Sequence, residues 1–327
     1  MRVREGRATV YGRALGALPS ALYGLLPVRF CVARYSNETR ALRLPGPQHP
    51  SPSSGPARVA LRGVRHRRGT KPDAGSPFRL ATPTLLVDLG RLPGLGNIAV
   101  GDDSLRLGAL VRWRDIEDDQ RLVAAHPLLH AAVAHVAHYQ IRNRGTVGGS
   151  LAYADPAAEL PGVAVTCEGD ITLFGPAGPR TVRAGDFFTG PLSTLRQPDE
   201  IVTELHLPKW PSGRRWAFRK YARRDGDFAL AGILLFYDED RHGALSNVHV
   251  GVIGACPRPH RLTRVETLLN GRAIDDGLIR RAVATAAEEV DPPDDLHADA
   301  AYRRGLVATL FERGLRAAAQ QGSASCR

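Results

Sequence analysis

The sequence predicts an α+β protein of more than one domain, on three observations. Strand-like alternation is followed, within single segments, by helical spacing rather than interleaved with it one element at a time. A length of 327 residues is enough for two or three cores. A polar break, KWPSGRR at 209–215, separates one such segment from the next.

The elements follow in order. Residues 1–77 stand apart: PGPQHPSPSSGPAR (45–58) is rich in Pro, Ser and Gly, and LRGVRHRRGTK (61–71) is a basic run. Neither carries a hydrophobic period, so most of 30–77 is expected to be irregular or disordered. Leu85, Leu86 and Val87 then read as a short buried strand, and NIAVGDDSLRLGALV as two strands around a Gly-Asp-Asp turn. WRDIEDDQRLV and HPLLHAAVAHVAHYQI read as helices, with Leu128, Leu129, Ala132, Val133 and Val136 as the apolar stripe of the second. RNRGTVGGSLAYADPAAELP (142–161) reads as a glycine loop. VAVTCEGDITLFGPAGPRTVRAGDFF suggests strands around Gly-Pro turns, and EIVTELHLP a strand with Ile201, Thr203, Leu205 and Leu207 on one face. Beyond the break come three strands, RWAFRKYARR, FALAGILLFYDED and SNVHVGVIGA. Two amphipathic helices close the chain, the last with Tyr302, Leu306, Leu310 and Phe311 at helical spacing.

Charge and cysteine narrow the function classes. The formal net charge is +11, and all of it falls in residues 1–77, which hold 14 basic and 3 acidic residues. The body is balanced and has no bias towards a polyanion, and no aromatic residues interleave with the basic run, so no nucleic-acid role is expected. No apolar run approaches the ~20 residues of a membrane span. ALGALPSALYGLLPV, interrupted by Pro19 and Pro27, is not taken as a presequence. The four cysteines are isolated, which excludes a local zinc or iron–sulfur cluster and points to a reduced, cytoplasmic protein.

The TVGGS motif carries the most chemistry. Glycines 148 and 149 lack Cβ, so positive φ and close approach of a phosphate to their N–H groups are open to them. Thr146 and Ser150 add hydroxyls, and Asp155 or Glu159 can accept from ribose. A simple Gly-Gly turn is the competing reading, and neither a P-loop nor a GxGxxG fingerprint is present. His126, His130, His135 and His138 have pairwise helical spacings, but they read as packed or solvated rather than metal-binding. In FRKYARRDGDFAL, Lys220 either points into a cofactor cleft or joins a surface charge cluster. No nucleophile or acid–base set is visible, so any chemistry belongs to a bound cofactor.

From about Phe78 to Ala318 the sequence resembles the FAD-binding medium subunits of the molybdenum hydroxylases, the carbon monoxide dehydrogenase and xanthine dehydrogenase group. The resemblance rests on FRLATPTLLVDLGRLPGL, IRNRGTVGGSLAYADPAAELP, AGDFFTGPLSTLRQPDEIVTELHLP, FRKYARRDGDFALAG and DDLHADAAYRRGLVATLFERGL, in that order along the chain. It implies a PCMH-type FAD-binding domain of two subdomains at 78–208, a smaller α+β domain at 214–318 and a tail at 319–327. It implies FAD held at its diphosphate by Thr146, Val147, Gly148, Gly149 and Ser150. Glu159 and Asp155 are then near the cofactor, Ile201 or Val202 packs near the flavin, and Lys220 contacts it. The implied role is electron relay, with no catalytic residue of the chain's own. Electrons come from [2Fe–2S] clusters on a small subunit, supplied by molybdopterin on a large subunit, and leave to NAD, a quinone or oxygen. The expected assembly is a dimer of heterotrimers.

One stretch departs from the pattern. The family places a first glycine loop, A-G-G-[TQ]-x-L, before FRLA, whereas this chain reads RRGTKPDAGSPFRLA. Gly69 and Thr70 stand at the matching distance, among arginines and a proline in place of small apolar residues. The abrupt change at Phe78 and the upstream charge suggest that residues 1 to about 76 are out of the ancestral reading frame. A flavin-deficient subunit that only docks partner subunits is the alternative function.

Overall fold

The computed structural model describes residues 89–90 and 92–321, together with the backbone of three short strands before them. Those strands are β1 (Val32–Ala33), β2 (Val59–Arg62) and β3 (Leu85–Asp88). β3 lies in the centre, parallel to β2 and antiparallel to β1. β1 and β2 are short strands within a stretch expected to be mostly irregular. Pieces of two and four residues are too short for a period to register, and their partner lies far along the chain. The rest of 1–77, with Gly69 and Thr70, lies outside the described residues.

The next sheet is antiparallel, in the order β4 (Ile98–Val100), β5 (Ser104–Gly108), β10 (Ile201–Pro208), β6 (Asp170–Gly175), β7 (Gly178–Arg183). β8 (Phe188–Gly190) and β9 (Ser193–Thr194) form a small ribbon before β10 (Ile201–Pro208) enters the centre of this sheet. β10 does not alternate as its sequence suggests. A register shift between Val202 and Glu204 opposite β6 moves the buried set to Val202, Leu205 and Leu207, because one extra residue at a bulge flips the side chains beyond it.

Four short helices, Trp113–Asp118, Gln120–Ala125, Pro127–Ala134 and Tyr139–Arg142, lead to the glycine motif. The expected stripe of Leu128, Leu129, Ala132 and Val133 is fully buried. Helix Glu159–Thr166 is a correction, since VAVT reads as strand. Every residue of this helix is buried, so it is apolar all round, and β-branched residues without a 3.6 period mimic a strand.

The second domain is a four-stranded antiparallel sheet, β11 (Arg215–Tyr221), β12 (Ala231–Glu239), β13 (Leu245–Ile253) and β14 (His260–Arg261), in sequence order. Both faces are covered, which is why ALAGILLFY is continuously apolar. Leu234 and Phe236 join the core of the first domain, while Ile233, Leu235 and Tyr237 pack with helices Thr263–Leu269, Asp276–Glu289 and Ala300–Gln320. The last helix buries Arg303, Val307, Leu310, Phe311 and Leu315, whereas Tyr302 is 47% exposed. Its stripe is thus rotated by one residue from the expected start at Tyr302 and Leu306. Helix Glu159–Thr166 lies between the two domains. A Cβ on Gly162 would stand 2.5 Å from Cγ2 of Ile253, so the missing side chain sets how closely helix and sheet approach.

Candidate functional site

Thr146 is the N-cap of a helix, Val147–Tyr153, and its Oγ1 accepts from the N–H of Gly149 at 3.2 Å. The glycine pair is therefore the first turn of a helix and not an open loop. Neither glycine has positive φ. Val147 N–H donates to the Val111 carbonyl at 2.9 Å, Gly148 to Ala109 at 2.8 Å and Ser150 to Thr146 at 3.0 Å. The glycine N–H groups expected to meet a phosphate are thus already bonded within the fold. What Gly148 supplies is proximity, because a Cβ there would meet Ala109 Cβ at 2.6 Å. Thr146, Val147 and Gly148 are buried; Gly149 is exposed and Ser150 half-buried, so these last two form the outer face of the motif.

The chain reverses at Ala154, a non-glycine in the left-handed region at φ 55°. Asp155 shapes the next turn, its Oδ1 accepting from Ala157 N–H at 3.0 Å and its carbonyl from Ala158 at 3.1 Å. That turn delivers Glu159 to the start of helix Glu159–Thr166. Its carboxylate accepts from Lys220 Nζ at 2.5 Å, and the side chains of Lys220 and Glu159 are only 6% and 7% exposed. Lys220 also donates to the His135 carbonyl at 3.1 Å. Burial pushes the Glu159 carboxyl above the usual carboxylate range, outweighing the downward pull of Lys220. Lys220 is thus no surface charge, and it joins the second domain to the first.

A third segment closes on the same place. Gly226, at φ +79°, lies so close to the His138 turn that a Cβ would stand 2.7 Å from Cε1 of that ring. Ala137 beside it is again left-handed at φ 42°. Arg142 holds the turn, its Nη1 donating to the carbonyls of Val136 at 3.1 Å and Ala137 at 2.8 Å. Strained non-glycine backbone persists where the surroundings over-determine it, and Ala137 and Ala154 are two of the five described non-glycine residues with positive φ. His135 packs on Phe218 at 5.1 Å, and burial followed by Lys220 lowers its pKa.

Among the other expected residues, Val202 lies in the first domain's core with Ile201 half-buried beside it. The four histidines take separate partners: His126 caps Leu129 N–H, His130 meets the Glu117 carbonyl, and His135 and His138 pack as described. No group of three His, Cys, Asp or Glu side chains among the described residues is arranged to hold a metal.

A separate cavity of about 150 Å³ is lined by residues including His126, Cys167, Trp210, Arg214, Phe236 and His249. Burial pushes His126 down to about 3 and the Cys167 thiol up to about 12, so both are neutral at physiological pH. Arg214 is clamped by Asp238 through two 2.8 Å bonds and lies over the Trp210 and Phe236 rings. This is a packed joint without a nucleophile.

Sequence reasoning did not single out Gly226, Arg142 or Arg303. The Asp-Gly-Asp triplet at 225–227 is a turn signal for Gly226. Arg303 lies one turn ahead of the buried Val307, so a cation on the apolar stripe was its visible sign.

The family model described as FAD binding domain in molybdopterin dehydrogenase matches residues 75–210. That described as CO dehydrogenase flavoprotein C-terminal domain matches residues 216–318. The nicotine 6-hydroxylase medium subunit of Paenarthrobacter nicotinovorans is 36% identical, over 72% of this chain and 82% of its own length. The carbon monoxide dehydrogenase medium chain of Hydrogenophaga pseudoflava is 31% identical, over 74% of this chain and 84% of its own. A solved carbon monoxide dehydrogenase from Hydrogenophaga pseudoflava, lacking the Mo-pyranopterin moiety of its cofactor, aligns with a TM-score of 0.71 at 32% identity, covering 74% of this chain and 84% of that one. Quinoline 2-oxidoreductase from Pseudomonas putida 86 aligns with the same TM-score of 0.71 at 33% identity, over 75% and 85% of the two chains.

Proposed function

The chain belongs to the family of FAD-binding medium subunits of molybdenum hydroxylases, and from that membership we propose that it binds FAD and relays electrons within a multi-subunit oxidoreductase. The observation carrying this reading is that the two family models cover 75–210 and 216–318, one after the other, across both domains. The flavin-carrying role is favoured over docking alone, because the relatives are medium chains of dehydrogenases and hydroxylases.

The residues present fit the cofactor in a particular way. Gly149 is bare and exposed, and a Cβ on it would press on Thr146 Oγ1 at 2.9 Å. Thr146, Val147, Gly148, Gly149 and Ser150 would hold the diphosphate, with the exposed Gly149 and the half-buried Ser150 as the outer face of that motif. Glu159, with Asp155 as a second, would be the carboxylate near the cofactor and could accept from ribose hydroxyls. Lys220, held by Glu159, would contact the flavin, and Ile201 or Val202 would pack near it. Gly69 and Thr70 are proposed for the far side of the diphosphate. When bound, FAD supplies the step between one-electron and two-electron carriers. The chain's own residues bind it, exclude water from the Lys220–Glu159 pair and fix the charge around it.

The partners proposed are a [2Fe–2S] small subunit and a molybdopterin large subunit, in a dimer of heterotrimers in the cytoplasm. The final acceptor is NAD, a quinone or oxygen. Two domains at 78–208 and 214–318, with a tail at 319–327, are part of the same reading. So is an altered reading frame over residues 1 to about 76; an alternative frame of the coding DNA should give a strand–helix–strand ending in Gly-Gly, and its absence from both other frames rejects the idea.

The function is tested by FAD titration of the full chain, followed by quenching of flavin fluorescence. Saturable one-to-one binding supports it. A chain that stays colourless with excess FAD, alone and with its partner chains, rejects it.

A further inference from the structure

Arg303 is 3% exposed on the first turn of helix Ala300–Gln320, far from any surface role. Its Nη1 donates to two main-chain carbonyls, Leu230 at 2.7 Å and Gly254 at 2.8 Å. Its Nη2 donates to Asp295 Oδ2 at 2.7 Å. Both carbonyls belong to segments that end at the candidate site. Leu230 closes the loop carrying Asp225 to Phe228, with its own N–H on the Tyr221 carbonyl at 2.9 Å. Gly254 donates its N–H to the Pro156 carbonyl at 3.0 Å, in the turn between Asp155 and Glu159. A Cβ on Gly254 would meet the Ala229 carbonyl oxygen at 2.6 Å, so the two backbones lie against each other where the guanidinium bridges them. Arg223 adds a latch on the outside, from Nη2 to the His297 carbonyl at 2.7 Å.

A buried cation is a costly way to fill space, and an apolar side chain of that size is commonly as stable or more so. The guanidinium is matched to something packing alone does not give: Nη1 bridges two carbonyls, and the rigid plane fixes that nitrogen through Nη2 on Asp295. We propose that Arg303 is a positioning residue for the cofactor site, fixing the spacing between the Lys220–Phe228 wall and the Asp155–Glu159 wall. The proposal rests on the FAD reading for its consequence, while the latch itself is defined by this chain alone.

Arg303→Lys tests it in the full-length chain, since the shorter ammonium cannot hold both carbonyls and the Asp295 carboxylate together from one rigid plane. Two readouts are needed. The first is hydrogen–deuterium exchange without FAD. Amides in 222–230 and 153–158 should exchange at least tenfold faster, with the strands β12 and β13 unchanged. The second is FAD affinity by fluorescence quenching, which should weaken at least tenfold. Unchanged exchange in those two segments, or faster exchange spread evenly over the second domain, overturns the proposal. So does FAD affinity within twofold of wild type. If the wild-type chain takes up no FAD, the function reading fails and the exchange result alone judges the latch. Should Arg303→Lys not fold, Asp295→Asn loosens the same guanidinium from its half-exposed side, and the same outcomes apply.

Discussion

Lys220→Met removes the cation that joins the two domains and leaves its partners in place. Two groups lose a donor: the Glu159 carboxylate at 2.5 Å and the His135 carbonyl at 3.1 Å. Both side chains of the ion pair are under a tenth exposed, so solvent cannot compensate. Removing one member of a buried pair costs about 3–5 kcal/mol. The lone carboxylate can escape part of this by taking up a proton. Its pKa is raised even with Lys220 present, and it rises further without it. A carboxyl whose folded pKa lies above its unfolded value binds protons better when folded. Its ionisation therefore erodes stability as pH climbs from the unfolded value, about 4.3, towards the folded one. The deficit of Lys220→Met should thus shrink on acidification and be largest at and above neutral pH. Urea unfolding at pH 7.5 and pH 5.5 measures it, with Lys220→Met/Glu159→Gln closing a double-mutant cycle. The double variant should be more stable than Lys220→Met alone, because no charge is left stranded. A deficit below about 1 kcal/mol, typical of a surface pair, or one independent of pH, would refute the buried-pair reasoning.

Two further expectations concern packing and the thiol. Gly251→Ala places a Cβ on the Thr166 hydroxyl in the joint between helix and sheet, and overpacking of this kind should cost about 1–3 kcal/mol in urea unfolding; a loss under 0.5 kcal/mol contradicts the tight contact. Cys167, buried and with its thiol pushed up to about 12, should resist iodoacetamide at pH 8 in the folded chain and react in urea; alkylation in minutes without denaturant contradicts it.

The sequence made the family legible because its long motifs are collinear, and most strand positions because alternation and turns were plain. What it hid has physical reasons. Helix Glu159–Thr166 is buried on all sides, so no amphipathic period marks it. The inward set of β10 turns on a single bulge, which no pattern in IVTELHLP announces. The glycine motif was seen, but not that it begins a helix whose amides are already bonded, because those acceptors, Val111 and Ala109, come from a distant loop. Lys220 was singled out without its partner; only the fold brings it to Glu159, 61 residues away. The left-handed alanines at 137 and 154 have no sequence signature at all.

The account depends on flavin being held at the Gly149–Ser150 face beside the Lys220–Glu159 pair. The most direct measurement is the FAD content and binding curve of the full chain purified with its partner chains, compared with Gly149→Val, whose side chain crowds Thr146 Oγ1. The account predicts about one FAD per wild-type chain, with binding weakened at least tenfold in the variant, equivalent to about 1.4 kcal/mol. Equal FAD content and affinity in both would contradict it.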